Sequence, residues 1–365
     1  MFAAKKVYNS VKLTNRRKRI IEANECYTVI EARRLAGMDV MQREMSFDSC
    51  ADEARIFVRI VEPADHFRTR GVLQIAHGMA EHSMLYLEFA NYAARQGFAV
   101  AVNDHLGHGK SVSKGGSYGY FGEGGAQNMV RDMHKLYGLM RREYPGVPYF
   151  LMGHSMGSFL ARSYAAQYGE ELAGAVFMGT CGPQNRAVLA GQRRVADHIV
   201  EKLGPKAHHP VFARLSTERF NKAFAPNRTD SDWVTRDEAE VDRYVADPLC
   251  GFDLTVSGYR DIVYLQSEVT SETWFRQLPK GLPILLISGD QDPLGDFGKG
   301  IQRLSARLAE TGHQVETVLY RGARHALITE TNRDEVFADL LSFLREHCPK
   351  EEGGSSPEHP EAFPA

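Results

Sequence analysis

A serine, a carboxylate and a histidine, each following a short apolar run, are the groups in this chain best suited to covalent chemistry. The serine is Ser155, at the centre of Gly153-His154-Ser155-Met156-Gly157. Tyr149-Phe150-Leu151-Met152 before it reads as a buried strand. Ser158 to Gln167 after it reads as a helix, with Phe159, Leu160 and Tyr164 at helical spacing. A sharp strand-to-helix turn strains the backbone of its central residue, and glycine two positions to either side removes side chains that would collide there. The hydroxyl is then lifted clear of the sheet beside a helix N-terminus. The plainer alternative is a turn whose serine only caps the helix.

A serine hydroxyl is a weak nucleophile at neutral pH, so it needs a base, and the base needs an orienting carboxylate. For a serine on such a turn the chain order is serine, acid, histidine, each on a loop after a strand. Gly289-Asp290-Gln291-Asp292-Pro293 follows Ile284-Leu285-Leu286-Ile287, and Gly322-Ala323-Arg324-His325 follows the run ending at Leu319. Between these loops there is room for one helix and one strand, as a crossover between neighbouring parallel strands requires. The much longer interval from Ser155 to Asp292 must hold an insertion. This spacing leaves Asp290 and Asp292 both open as the acid. Negative charge on a carbonyl oxygen needs preorganised donors. The Met156 N–H, directly after the serine, is one candidate. The Met79 N–H, in the loop His77-Gly78-Met79-Ala80-Glu81-His82, is the other.

The elements that must carry these loops alternate in type. Strand-like runs occur at Ile56–Val61, Val72–Ala76, Phe98–Val102, Leu172–Met178, Pro283–Ser288 and Gln314–Leu319. Helical patterns occur at Leu85–Arg95, Met129–Glu143, Gly300–Ala309 and Asp334–His347, with a glycine-rich loop over Gly115–Gly125. The alternation predicts an α/β fold with a mostly parallel, doubly wound sheet. Residues 182–261 break the rhythm with short helical pieces and many aromatics, among them Phe212, Phe220, Phe224, Trp233, Tyr244 and Phe252. They are read as an inserted helical cap above the sheet. The expected division is an N-terminal extension over 1–45, a core over 46–181 and 262–348, the cap over 182–261, and a disordered tail over 349–365, too polar to pack.

The chain has 365 residues, 43% hydrophobic and 25% charged, with net charge −2. This suits a globular protein and gives no reason to expect a nucleic-acid partner. Its five cysteines are scattered, odd in number and without a C-x-x-C pair, which argues against a disulfide framework and a structural zinc site and favours a reducing, cytoplasmic setting. His208-His209 is the faintest of metal hints, without further ligands at zinc spacing. No apolar run approaches bilayer-spanning length. Lys5 to Arg19 forms a basic arm, read as solvated or as a weak peripheral contact with anionic lipid headgroups.

These motifs together resemble the monoacylglycerol lipase and lysophospholipase-like branch of the α/β-hydrolase superfamily, a serine aminopeptidase S33-type domain. His77 to Ser83 resembles its oxyanion loop, with Ala80 where the family usually has glycine. Asp104-His105-Leu106-Gly107-His108-Gly109-Lys110-Ser111 resembles a strand-end motif whose histidines and glycines shape a loop. Asp247-Pro248-Leu249-Cys250 resembles a segment late in the cap. The resemblance places the acid at Asp292. It implies the α/β-hydrolase fold and cleavage of a single-acyl lipid ester, a monoacylglycerol or lysophospholipid, through an acyl-enzyme. The implied roles are Ser155 as nucleophile, His325 as base, Asp292 as acid, and the Met79 and Met156 amides as oxyanion donors, with no cofactor and no metal. The alternatives are a proline-type aminopeptidase, using Asp237, Glu238, Glu240 and Asp242 to hold a peptide amine, and a catalytically silent binding protein on the same fold. Oligomeric state is not legible.

Overall fold

Alternating side chains on fully buried strands divide the core into two layers, one on each face of a sheet. A computed structural model of the chain describes residues 27–34, 39–51, 53–112, 114–215 and 217–349. Nine strands form the sheet: β1 (Thr28–Arg34), β2 (Val40–Asp48), β3 (Arg55–Pro63), β4 (Gly71–Ala76), β5 (Phe98–Asn103), β6 (Tyr149–His154), β7 (Gly174–Met178), β8 (Ile284–Gly289) and β9 (Val315–Tyr320). Their order is β1-β2-β3-β5-β4-β6-β7-β8-β9. The pairs joining β1, β2, β3 and β5 are antiparallel, and every pair from β5 to β9 is parallel. Strands β4 to β8 are buried along their whole length, as helices on both faces require. On one face Leu73, Ile75, Val100, Val102, Phe150 and Met152 pack with Phe89 and Phe337. On the other, Val72, Ala99, Ala101, Leu151 and Leu286 pack with Met129, Met133, Phe159 and Leu304.

The helices are α1 (Leu87–Arg95), α2 (Gly125–Glu143), α3 (Met156–Tyr168), α4 (Arg186–Leu203), α5 (Pro210–Leu215), α6 (Thr217–Asn221), α7 (Glu238–Ala246), α8 (Val256–Val269), α9 (Glu272–Gln277), α10 (Lys299–Glu310) and α11 (Arg333–Glu346). The expected strands and helices are found with shifted ends. Helix α2 begins four residues early, inside the glycine-rich loop, where the Asn128 side chain donates to the Glu123 carbonyl at 2.6 Å. The Asp261 carboxylate stands so close to Gly125 that a Cβ there would collide with it. A carboxylate at a helix N-terminus favours the extra turn.

Two elements differ from the sequence reading. Two strands precede the first expected one, β2 from Val40 and β1 before it, so the sheet reaches into the segment set apart as an extension. Val40, Met45 and Phe47 are buried, and Arg43 anchors the strand across the sheet, bonding Glu62 at 2.9 Å and Glu143 at 3.0 Å. Helix α8 starts within the predicted cap and runs past residue 262. Val256, Leu265 and Val269 belong to the main core, so the chain re-enters the core before the helix ends. The basic arm and Cys26 lie outside the described residues, as does the tail from Lys350. Among the described residues no helix is long and apolar enough to cross a membrane.

The parallel register brings the functional loops together. Ala76 pairs with both Asn103 and Gly153, His154 with Met178, Met178 with Ile287, and Gly289 with Tyr320. The loops after β4, β5, β6, β8 and β9 therefore leave the same edge of the sheet, where ligand sites of open parallel sheets form.

Candidate functional site

Ser155 sits between the end of β6 and the first turn of α3 with φ 54° and ψ −120°. L-residues rarely adopt such a conformation, and it persists only where its surroundings enforce it. Here the Ser155 N–H donates to Met178 O at 3.0 Å, and its carbonyl accepts from Ser158 N at 2.9 Å and Ser158 Oγ at 2.6 Å. The flanking glycines are a steric necessity. A Cβ on Gly153 would run into the carbonyl of Gly157, and one on Gly157 into the carbonyls of Ala76 and His77. Helix and strand can approach this closely only without those side chains.

His325, 2% exposed, bonds through Nδ1 to Asp292 Oδ2 at 2.9 Å. Asp292 is fully buried, and its other oxygen accepts from Leu294 N at 2.9 Å. The remaining histidine nitrogen, Nε2, is buried without a hydrogen-bond partner among the described residues. Asp290, which spacing left as an equal candidate, turns the other way and accepts from Gly322 N at 2.7 Å, pinning one loop to the next. Ser155 and His325 line one cleft of about 480 Å³, open to solvent, together with Met79 and Ala80. The Met156 N–H lies in the first turn of α3, where no helical acceptor exists for it.

The loop carrying Met79 is held from below by a cluster that sequence reasoning did not assign. Glu81 accepts from Gly78 N at 3.0 Å and from Tyr86 Oη at 2.9 Å, and lies 3.4 Å from His154 Nδ1. His154 Nε2 in turn faces the backbone carbonyl of His325 at 3.3 Å. Burial by itself would push the Glu81 carboxyl up, but the charge and hydrogen bond of His154, with His77 and the Gly78 N–H, bring it down to about 2. Burial opposes charge on His154 too, and Glu81 outweighs it, so that histidine is raised. Both residues stood within motifs already singled out. What pairs them is the adjacency of β4 and β6. Among the cleft's other missed residues, Thr217 and Tyr259 come from cap helix α6 and from α8, where no local motif marks them.

Ala80 has φ 51°, the left-handed region where glycine costs least. A glycine would sit there without strain, which makes alanine here a strained choice. The cap holds the strained residue. Gly251 N donates to Ala80 O at 3.0 Å, Tyr244 Oη does so at 3.3 Å, and His82 Nε2 bonds Asp247 Oδ2 at 3.0 Å.

The strand-end motif after β5 does shape its loop. Asp104 accepts from Ser83 N and Lys110 N, both at 2.7 Å, and a Cβ on Gly109 would strike its carboxylate. His77 donates from Nδ1 to Gly78 O at 2.8 Å and accepts at Nε2 from His105 N at 3.0 Å, which requires the neutral ring. Burial lowers His77 to about 4 and His108 to about 3, and takes His105 well below its ordinary value.

Of the cap aromatics, Trp233, Tyr244 and Phe252 line the cleft, while Phe212 stacks on Tyr259 at 5.0 Å and Phe220 packs behind Trp233 at 5.2 Å. The four cap acids weighed for amine binding are engaged elsewhere. Asp237 caps α7 and pairs with Arg333, Glu240 pairs with Arg243, and Asp242 and Glu238 pair with Arg228. None of them lines the cleft beside Ser155, although Asp253 and Glu81 do.

His208 and His209 are exposed, and His209 Nδ1 accepts from Val211 N at 3.2 Å. His82, Asp247 and Cys250 place possible ligand atoms within 4.8 Å of one another. Because His82 Nδ1 accepts from Met84 N, the proton sits on Nε2 and is given to Asp247, which already satisfies both groups. Cys50, Cys181, Cys250 and Cys348 are free thiols.

Comparison with known proteins places this site among relatives. Residues 68–332 match the family described as Serine aminopeptidase, S33. The chain is 32% identical over 283 residues to a monoglyceride lipase of Homo sapiens, covering 77% of this chain and 82% of that protein. It is 28% identical over 279 residues to a monoacylglycerol lipase of Mycolicibacterium smegmatis, covering 76% and 89%. A thermostable carboxyl esterase from Bacillus coagulans, solved with glycerol, superposes with TM-score 0.78 at 31% identity over 84% of this chain and 98% of that one.

Proposed function

We propose that this chain, which belongs to the serine aminopeptidase S33 family, is a carboxylic-ester hydrolase that cleaves single-acyl lipid esters such as monoacylglycerols or lysophospholipids through an acyl-enzyme. The observation that carries the reading is the His325 Nδ1–Asp292 hydrogen bond, which leaves a partnerless Nε2 at the cleft that Ser155 also lines. In this mechanism His325 takes the Ser155 proton as the hydroxyl attacks the ester carbonyl. Asp292 holds the imidazole in the Nδ1–H tautomer and stabilises the cation. The N–H groups of Met79 and Met156 receive the oxyanion. The protonated histidine gives its proton to the departing alcohol; it then takes one from a water whose oxygen attacks the acyl carbon, and returns that proton to Ser155 Oγ as the acyl–serine bond breaks and the acid leaves. The charged Glu81–His154 pair holds both the oxyanion loop and the His325 backbone in place.

Aromatic cleft walls suit an acyl chain. The engaged cap acids count against an amine-binding peptidase. The names of the lipases and esterase above support an ester substrate. A reducing, cytoplasmic setting, and weak contact of the protein with a lipid surface, are part of the same reading.

The test is labelling by a fluorophosphonate, with rates on p-nitrophenyl esters, monoacylglycerols and a prolyl arylamide. The expected result is one label on Ser155 and ester turnover that Ser155→Ala abolishes with the fold intact. Activity of Ser155→Ala within about tenfold of the parent would refute the nucleophile. Preferential cleavage of the arylamide would move the protein to the peptidase reading, and failure to label folded protein would favour a silent binding protein.

A further inference from the structure

The indole of Trp233 lies against the imidazole of His325, with ring centroids 4.7 Å apart and planes inclined by 34°. We propose that Trp233 is the wall that restricts the cleft to esters bearing one acyl chain, and that a buried clamp centred on Glu330 keeps it from opening. This deepens the ester-hydrolase reading and rests on it.

Trp233 belongs to the cap, is 8% exposed, and lines the same cleft as Ser155. Its ring is backed by Phe220, and its backbone N–H donates to Asn221 Oδ1 at 3.0 Å, so both ring and main chain are held. The segment around it is fastened to the loop that carries His325. Ala326 N donates to Val234 O at 2.7 Å, and Thr235 Oγ1 to Thr329 O at 3.0 Å. The Arg324 guanidinium donates to the carbonyls of Asp232 and Thr235. Beneath them the fully buried Glu330 carboxylate accepts four bonds. These come from Arg324 N at 2.7 Å, Arg236 N at 3.1 Å, Arg236 Nε at 2.8 Å and Thr331 N at 3.1 Å.

A wall carried on a loosely attached lid would swing aside for a larger substrate. This one is bonded to the catalytic histidine's own loop, so moving it moves the base. In a 1,2-diacylglycerol the second ester sits on the carbon adjacent to the one that bears the reacting ester oxygen, and its chain must pass beside the carbonyl under attack. The indole lies against His325, and Phe252 and Tyr259 line the same cleft; in this proposal those walls leave room beside the reacting carbonyl for one chain. Trp233 acts by exclusion, whereas Glu330 is a positioning residue acting through Trp233 and the His325 loop.

The measurement is kcat/KM for a 1-monoacylglycerol and a 1,2-diacylglycerol of the same acyl chain in the same detergent micelles. It is made on the parent chain, Trp233→Leu, Trp233→Phe and Glu330→Gln, each checked for fold by circular dichroism. Opening an apolar wall by more than a methylene is expected to raise the diacyl-to-monoacyl ratio at least about tenfold in Trp233→Leu. A smaller rise is expected in Trp233→Phe, and an intermediate rise in Glu330→Gln, which keeps the indole. An unchanged ratio in folded Trp233→Leu overturns the wall. If that variant does not fold, an unchanged ratio in both other variants does so. A rise in Trp233→Leu with none in Glu330→Gln overturns the clamp. A parent enzyme that takes the fluorophosphonate label yet cleaves diacylglycerol as fast as monoacylglycerol also overturns the wall. One that neither labels nor cleaves any ester removes the ester-hydrolase reading itself.

Discussion

Replacing His77 by glutamine should make the protein markedly more resistant to acid. His77 is fully buried and accepts a hydrogen bond from His105 N at Nε2. A proton added there would set N–H against N–H. Burial holds its folded pKa at about 4, against about 6.5 when unfolded. Between those values the unfolded chain binds the extra proton, so stability is full above pH 6.5 and falls as the pH drops towards 4. At about 1.4 kcal/mol for each pH unit, this one side chain costs the folded state about 3 kcal/mol by pH 4. His108, lowered to about 3, adds a similar loss over the same range. Against a typical stability of about 5–15 kcal/mol these losses bring the fold close to its limit.

Glutamine places an amide oxygen near the position of Nε2 and can still accept from His105 N, but it does not titrate. Urea unfolding at pH 7, 5.5 and 4, followed by far-ultraviolet circular dichroism, separates the two effects. Any packing defect lowers stability equally at each pH, whereas the titration appears only in the difference. The variant should lose about 3 kcal/mol less than the parent between pH 7 and pH 4. An equal loss in both proteins would show that His77 is not held neutral, and the argument from burial would fail.

Asp292→Asn should lower kcat by up to about 10⁴, because an amide no longer selects the Nδ1–H tautomer of His325. Asp290→Asn, which alters the links to Gly322 N and Gln291 Nε2 and none to His325, should cost far less, and the reverse order in steady-state assays would exchange their roles. Gly157→Ala should destabilise the fold by about 1–3 kcal/mol and depress turnover, since the new methyl group meets the carbonyls of Ala76 and His77. A variant with parent-like melting temperature and rate would contradict that packing. Glu81→Gln should remove a pH dependence on the alkaline side. His154 is raised in the folded state, so its contribution is complete below pH 6.5 and lost as the pH rises through its folded pKa. Without Glu81 the raising charge is gone, and stability curves from pH 6.5 to 9 should flatten. An unchanged slope would mean that the pair is not charged.

Much of the machinery could be read from the chain because its signals are local. Gly153-His154-Ser155-Met156-Gly157 encodes its own turn: the serine's strain and the glycines' closeness follow from which side chains are missing. The β4–β8 runs are legible because strands buried on both faces are apolar throughout. Ala80 stood out as unusual, and its positive φ gives the reason. Strands β1 and β2 were missed, and in β2 the inward positions alternate with polar and charged residues, Arg43 among them. That residue becomes a core anchor only once Glu62 and Glu143 are brought to it.

The sequence by itself determined where the turns fall, which residues could react and in what order the strands and helices follow, since those depend on neighbours a few bonds away. Only the tertiary structure set Asp292, and not Asp290, against His325, joined Glu81 to His154, and laid Trp233 against His325. Each of these is a contact between side chains far apart in the chain. A carboxylate's partner depends on which strands become neighbours, and that is settled by the packing of the whole sheet.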